Sequence, residues 1–332
     1  MVAEPRPREI TVPASAQQLS VVIPVFNEEA CLPLLFDRLY TALDGLGMRY
    51  EVIFVDDGSA DRSAALLREQ FERRRAVTRV VLLRRNFGQH AALRAGFQQT
   101  RGRYVVTLDA DLQNPPEEIA KIVQALDEGY DCVGGVRSTR EDSWFRRTAS
   151  RAANRLRERT TRIRMTDHGC MLRGYHRSLV DVLNQLHEVN AFLPALAYTL
   201  AAKPTEIEVR HEARAAGASK YSLLHLARLN FDLMTGFSVA PLQFLSVIGF
   251  AVALISGALM AFLVARRLLL GPEVEGVFTL FAFVFFFLGV ILVGIGLLGE
   301  FVARIYQQVR NLPAYLVGAV IEENADERSD AP

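Results

Sequence analysis

The sequence predicts an α/β domain on a mostly parallel sheet, followed by a helix at a membrane interface and two transmembrane helices. Short β-rich runs at 19–24, 51–56, 78–83, 103–108 and 131–135 alternate with helix-length segments, the rhythm of βαβ units with helices on both faces. Three of these runs end in acids and turn-forming residues. Near the C-terminus, 242–265 and 277–299 contain no charged residue, and each is long enough to cross a hydrocarbon core of about 30 Å as a helix.

Taken in order, residues 1–18 read as an N-terminal extension. Pro5, Pro7 and Pro13 lie there among polar residues, with no apolar core for a signal peptide, so the N-terminus is expected in the cytoplasm. Residues 19–219 form the expected α/β domain. Ser59 is placed to cap a helix over 60–75, and Pro116 suits the first turn of a later helix, where a missing N–H costs nothing. Over 220–240, Leu223, Leu226, Phe231, Met234 and Phe237 recur at near-helical spacing, which predicts an amphipathic helix lying in the interface. The membrane region is 241–300, and its loop, 266–276, is too short for the flanks to lie on different sides. Residues 301–332 are expected as a cytoplasmic tail.

Composition narrows the function classes. The 332 residues are 50% hydrophobic and 23% charged, with 38 Lys+Arg against 37 Asp+Glu, a balance unlike that of a chain devoted to bulk nucleic acid. Cys31, Cys132 and Cys170 form no C-x-x-C pair, which excludes a disulfide framework and a cysteine zinc site. The six histidines show no H-x-x-x-H pair, and of them only His168 is expected near the site. No G-x-G-x-x-G or Walker loop follows a strand, which removes the usual dinucleotide and NTPase readings. The segment 137–164 carries ten arginines against Glu141, Asp142 and Glu158, a local charge of +7. A nucleic-acid patch has this charge, but Trp144 and Phe145 are the only aromatics present and give no stacking platform. Beside two apolar spans, anionic headgroups or a lipid phosphate are the expected partners, and no nucleic acid.

The strand exits carry the chemistry, because ligands of open α/β sheets bind at the carboxyl ends of strands. Asp109 and Asp111, one residue apart after a strand, aim two hard oxygen ligands at one point, an arrangement suited to Mg²⁺ or Mn²⁺; Gln113 adds a carbonyl oxygen. Such an ion stabilises the charge that develops on a departing nucleotide diphosphate. Asp57 is placed to accept hydrogen bonds from a base or ribose. The stretch 86–90 precedes a helix whose N-terminus is a candidate anion site.

The series VVIPVFNEE, VDDGSAD, RNFGQHAALRAGF and LDADLQNPPEEI resembles the family 2 glycosyltransferases with the GT-A, Rossmann-like fold, and among them those with polyprenyl-phosphate acceptors. The resemblance implies nucleotide contacts from Pro24, Phe26, Glu28, Val55, Asp57, Asp109, Ala110, Asp111 and Gln113, with Mg²⁺ or Mn²⁺ on Asp109, Asp111 and Gln113. It further implies acceptor-phosphate contacts from Arg137 and Arg151, an active-site carboxylate in Asp167, and active-site contacts from Arg214 and Lys220. The runs EDSWFRRTASRAANRLRERTT, DHGCMLRGY and GASKYS are most similar to a branch that moves 4-deoxy-4-formamido-L-arabinose from UDP to undecaprenyl phosphate. That branch works at the cytoplasmic face of the bacterial inner membrane, in lipid A modification and polymyxin resistance, and the resemblance implies a homo-oligomer, a tetramer. A glucosyl or mannosyl donor is the alternative. The Q-x-x-R-W element of processive polysaccharide synthases is absent.

A lipid monophosphate is already anionic near neutral pH, its second pKa being around 6 by analogy with phosphorylated side chains. Attack therefore needs no strong base, and a single displacement inverts the anomeric carbon. Asp167 is accordingly expected to orient the sugar or the acceptor.

Overall fold

The computed structural model describes residues 18–137, 165–167, 169–186, 192–212, 277–309 and 313–323, with scattered helical residues between 242 and 269. Five strands fall where the β-rich runs predict them: β1 Leu19–Val25, β2 Tyr50–Asp56, β3 Thr78–Leu83, β4 Tyr104–Thr107 and β5 Cys132–Arg137. Between them lie α1 Leu32–Asp44, α2 Ser63–Arg73, α3 Gln89–Phe97 and α4 Ile119–Asp127, the last preceded by a 3₁₀ turn at Pro116–Glu118. Pro116 opens that turn, as expected. Helix α2 starts later than expected, at Ser63, whose N–H is taken by Asp61 Oδ1 at 2.9 Å, while the Ser59 hydroxyl accepts from Asn27 N at 3.0 Å.

Three further strands complete the sheet: β6 Arg173–His176, β7 Pro204–Val209 and β8 Val317–Ile321, with α5 Arg177–Gln185 and α6 Leu193–Leu200 between the first two. The strand order is β7-β5-β6-β4-β1-β2-β3-β8. Strands β1 to β5 and β7 run one way, whereas β6 is antiparallel to β4 and β5, and β8 is antiparallel to β3.

The central strands are apolar on both sides because both faces are covered. On one, Leu19, Val21, Ile23, Val52 and Phe54 pack with Leu32, Leu35 and Leu39 of α1, Leu67 of α2 and Ile119 and Ile122 of α4. On the other lies α3, close enough that a Cβ on Gly96 would stand 2.3 Å from Val22 Cγ1. At the opposite edge from the strand exits, buried Glu51 accepts from Ser20 Oγ and from Arg101 N, both at 2.6 Å, and buried Arg79 lies 3.0 Å from Glu322. Glu322 thus ties the end of β8 to the sheet. The expected tail from 301 is corrected here: its residues 317–321 are a strand of the same sheet, selected by VGAVI, whose β-rich residues cover an edge that β3 would otherwise leave unpaired.

The chain divides into two compact units, one of Met1–Trp144, Ile163–Lys220 and Pro313–Pro332, the other of Phe145–Arg162 and Tyr221–Leu312. The first holds the sheet. The second holds α7, Val277–Val309, a 33-residue helix with no charge from 277 to 299. Side chains along α7 are described only in part, and among the described residues no helix is established as long and apolar enough to cross a membrane. Two spans at 242–265 and 277–299 are therefore not shown, and the interfacial helix expected over 220–240 lies outside the described residues.

Gly58, which follows β2, fixes the distance between two strand exits. Its φ is +69°, and a Cβ there would lie 2.5 Å from the backbone carbon of Arg85. Gly58→Ala should lower stability by about 1–3 kcal/mol, from left-handed strain and displacement of the 84–88 loop. Thermal unfolding measures this; an unchanged midpoint would show that the loop yields freely.

Candidate active site

The exits of β1, β2, β3, β4, β5 and β7 share one edge, since those strands run in the same direction. The first two are laced together. Asn27, at φ 56°, accepts from Ala60 N at 2.8 Å; Glu28 N donates to Ser63 Oγ at 3.0 Å; Glu29 N donates to Asp61 Oδ2 at 3.1 Å, and Glu29 Oε2 accepts from Arg62 N at 3.0 Å. The Asn-Glu-Glu run and the Asp-Gly-Ser-Ala-Asp run thus join the two loops. Pro24 and Glu28 are half-buried, Phe26 is 42% exposed beyond β1, and Val55 is fully buried within β2. A core role is thereby excluded for Phe26 and evident for Val55.

Asp57 is buried, and its two oxygens accept from Phe87 N and Gly88 N, each at 2.8 Å. Burial pushes its carboxyl up, the two N–H groups pull it down, and Asp56 adds to the rise, leaving it above the ordinary range. Those amides precede α3, so the anion site expected at 86–90 has two of its donors on an acid of the protein itself. From the first turn of α3, Gln89 Nε2 donates to Asp109 Oδ1 at 2.6 Å.

After β4, Leu112 takes φ 61°, which turns the chain so that Asp111 Oδ1 accepts from Gln113 N at 3.1 Å. Burial and the neighbouring Asp111 drive the Asp109 carboxyl up to about 7, while Gln89 and Arg137 oppose the rise and Glu28 adds to it. Ala110 is buried between the two acids. The Gln113 carbonyl accepts from Glu212 N at 2.8 Å, which brings the chain leaving β7 onto this turn.

Arg137, at the end of β5, grips Asp167 in a fork, Nε to Oδ2 at 2.6 Å and Nη2 to Oδ1 at 2.8 Å. Asp167 also accepts from Gly169 N at 2.9 Å, and its side chain is 4% exposed. The 166–170 stretch is held from beneath: fully buried Arg173 donates to the carbonyls of Asp167 and Cys170 at 2.6 and 2.9 Å, and Glu206 of β7 accepts from Thr166 N at 2.8 Å. Arg151, His168, Arg214 and Lys220 lie outside the described residues.

The family model for glycosyl transferase family 2 matches residues 20–183. An undecaprenyl-phosphate 4-deoxy-4-formamido-L-arabinose transferase of Edwardsiella ictaluri is 50% identical over 310 residues, covering 93% of this chain and 95% of the relative. The chain belongs to glycosyl transferase family 2. The transferase of the same description from Serratia proteamaculans is also 50% identical, over 92% of this chain and 95% of its own length. Among solved structures, glucosyl-3-phosphoglycerate synthase from Mycobacterium tuberculosis, crystallised with Mn²⁺, UDP and glucosyl-3-phosphoglycerate, is 19% identical. It matches with a TM-score of 0.49 over 66% of this chain and 78% of that one.

In this family 2 glycosyltransferase the structure adds a residue that sequence reasoning passed over. His211, two residues beyond β7, is half-buried, and its Nδ1 is buried with no hydrogen-bond partner. Burial and Arg137 hold its imidazole below the ordinary range, while Asp111, Asp167 and a hydrogen bond to the Gln113 backbone act in the opposite sense. These influences put it within electrostatic reach of Asp111, Asp167 and Arg137 and against the Gln113 backbone. No H-x-x-x-H spacing flags such a histidine; its one signal is its position just past a strand that was not foreseen. Among the described residues no three His, Cys, Asp or Glu side chains are gathered at ligand distance.

Proposed function

We propose that this protein transfers 4-deoxy-4-formamido-L-arabinose from UDP to undecaprenyl phosphate, with inversion, in the modification of lipid A. The similarity to two transferases of that description along nearly the whole chain supports the sugar and the acceptor. The carrying observation in the geometry is the meeting, at one sheet edge, of an acid pair at Asp109 and Asp111 with a guanidinium fork at Arg137 and Asp167. One centre suits a diphosphate that must leave, the other a phosphate that must arrive.

Mg²⁺ or Mn²⁺ suits the first centre. Two hard carboxylates, Asp109 and Asp111, leave one turn within electrostatic reach of the His211 imidazole, whose Nδ1 is buried with no hydrogen-bond partner, and hard carboxylate oxygens suit either ion. Asp109, Asp111 and His211 would hold the ion, with the Gln113 amide oxygen, and there it supplies charge neutralisation for the departing diphosphate. Pro24, Phe26, Glu28, Asp57 and Ala110 surround the nucleotide in this reading, with Val55 packed in the sheet behind them and Asp57 shaping the 84–88 loop through its two backbone bonds.

Asp167 is saturated with donors, which suits a group that aims Arg137 and not one that removes protons. Arg137 then holds an acceptor phosphate in line for attack, joined by Arg151, Arg214 and Lys220. The domain limits 19–219, 220–240 and 241–300, the spans at 242–265 and 277–299, a catalytic domain on the cytoplasmic face and a tetramer belong to the same reading. The uncharged stretches support the spans: 33 helical residues in α7 reach about 50 Å at about 1.5 Å per residue, beyond a core of about 30 Å.

Incubating the purified protein with undecaprenyl phosphate and a panel of UDP- and GDP-sugars, with mass spectrometry of the lipids, tests the assignment. The expected product is the formamido-arabinosyl lipid. A glucosyl or mannosyl lipid alone would replace the sugar, and no lipid product from any donor would remove the acceptor.

A further inference from the structure

The turn that bears Asp109 and Asp111 runs into Pro116–Glu118, and two adjacent glutamates there face the residues on either side of His211. Glu118, whose side chain is 2% exposed, accepts from Arg210 Nε at 2.6 Å and from Lys121 Nζ at 2.5 Å. Glu117 is joined to Glu212 through one guanidinium on α1. Arg38 donates to Glu117 by Nε at 3.2 Å and Nη2 at 3.0 Å, and to Glu212 by Nη1 at 2.9 Å and Nη2 at 3.2 Å. The Glu212 N–H meanwhile reaches the Gln113 carbonyl at 2.8 Å. Residues 210–212 are therefore pinned to 113–118 at three points, with His211 in the middle.

We propose that Arg38 is a positioning residue that holds Glu212, and through it His211, against the Asp109–Gln113 turn. This rests on the reading of Asp111 and His211 given above. Arg38 touches neither the acid pair nor any group assigned to substrate. A planar fork can bridge two carboxylates in fixed geometry, which an ammonium cannot do. Isolated exposed ion pairs contribute little to stability, so the value of this one lies in what it aligns. Glu117 and Glu212 are 41% and 44% exposed, so removing Arg38 strands no buried charge and the fold should survive.

Two measurements on the full-length protein decide it. Hydrogen exchange at the Glu212 amide should quicken about tenfold in Arg38→Ala and by less in Arg38→Lys. Calorimetry with Mn²⁺ alone should show Kd weakened about tenfold in Arg38→Ala. Arg74→Ala, which removes an exposed fork to Asp44 that reaches neither 113–118 nor 210–212, should alter neither. Unchanged exchange in Arg38→Ala would overturn the latch, and quickened exchange with an unchanged Mn²⁺ Kd would overturn its positioning role. If Asp111→Asn leaves the Mn²⁺ binding heat intact, the ion assignment falls instead, and exchange alone still decides whether Arg38 holds the segment.

Discussion

Asp111→Asn should cut turnover by about a thousandfold while the protein stays folded, the scale expected when one electrostatic partner of a developing charge is lost. The amide keeps the shape of the carboxylate, and its oxygen can still accept from Gln113 N, so the turn at Leu112 need not move. What disappears is one of two negative charges. With it goes the repulsion that adds to burial in raising the Asp109 carboxyl, so that carboxyl should ionise more readily in the variant. Steady-state kinetics across a divalent-ion titration, with unfolding curves as the control, would show the effect; near-normal turnover with an unaltered ion requirement would remove Asp111 from the ion site.

Arg137→Ala should act on two quantities at once. Asp167 is almost fully buried and would lose both bonds of the guanidinium fork, so stability should fall by about 3–5 kcal/mol, the usual cost of removing one partner from a buried ion pair. The dependence of rate on lipid should deteriorate more than nucleotide affinity, because Arg137 ends β5 whereas the nucleotide loops follow β1, β2 and β3. Calorimetry with nucleotide sugar alone and kinetics at varied lipid separate these effects. Arg137→Lys, which keeps the charge without the fork, guards against simple unfolding. A large loss of nucleotide affinity with lipid dependence intact would reassign the arginine.

The parts of this fold that the sequence made legible are those governed by local pattern. Strands β1 to β5 are marked by apolar β-rich runs ended by turn residues, and the acids at their exits are the candidate site. Strands β6, β7 and β8 were hidden for different reasons. RGYH is four residues long and mixes an arginine with a glycine; PTEIEV begins with proline and alternates acids, as an edge strand can; VGAVI lies beyond an apolar helix, where a tail was the simpler reading. His211 went unseen with β7, since its role depends on a register that joins residues about a hundred positions apart. Asp57 was read as a ligand for nucleotide, and its bonds to Phe87 and Gly88 became visible only when β2 and β3 lay side by side.

The pairing of β8 with β3 sets an order of events during synthesis. Ile321 is the partner of Val80, so the outer edge of Thr78–Leu83 has no neighbour until more than two hundred further residues have left the ribosome. The whole apolar stretch emerges first. For that interval the nascent domain offers an open β-edge of sequence TRVVLL, the kind of surface on which chains stick to one another. A premature stop anywhere between Leu312 and Val317 would make the interval permanent, giving a protein with every proposed catalytic group in place and an edge that recruits its own copies.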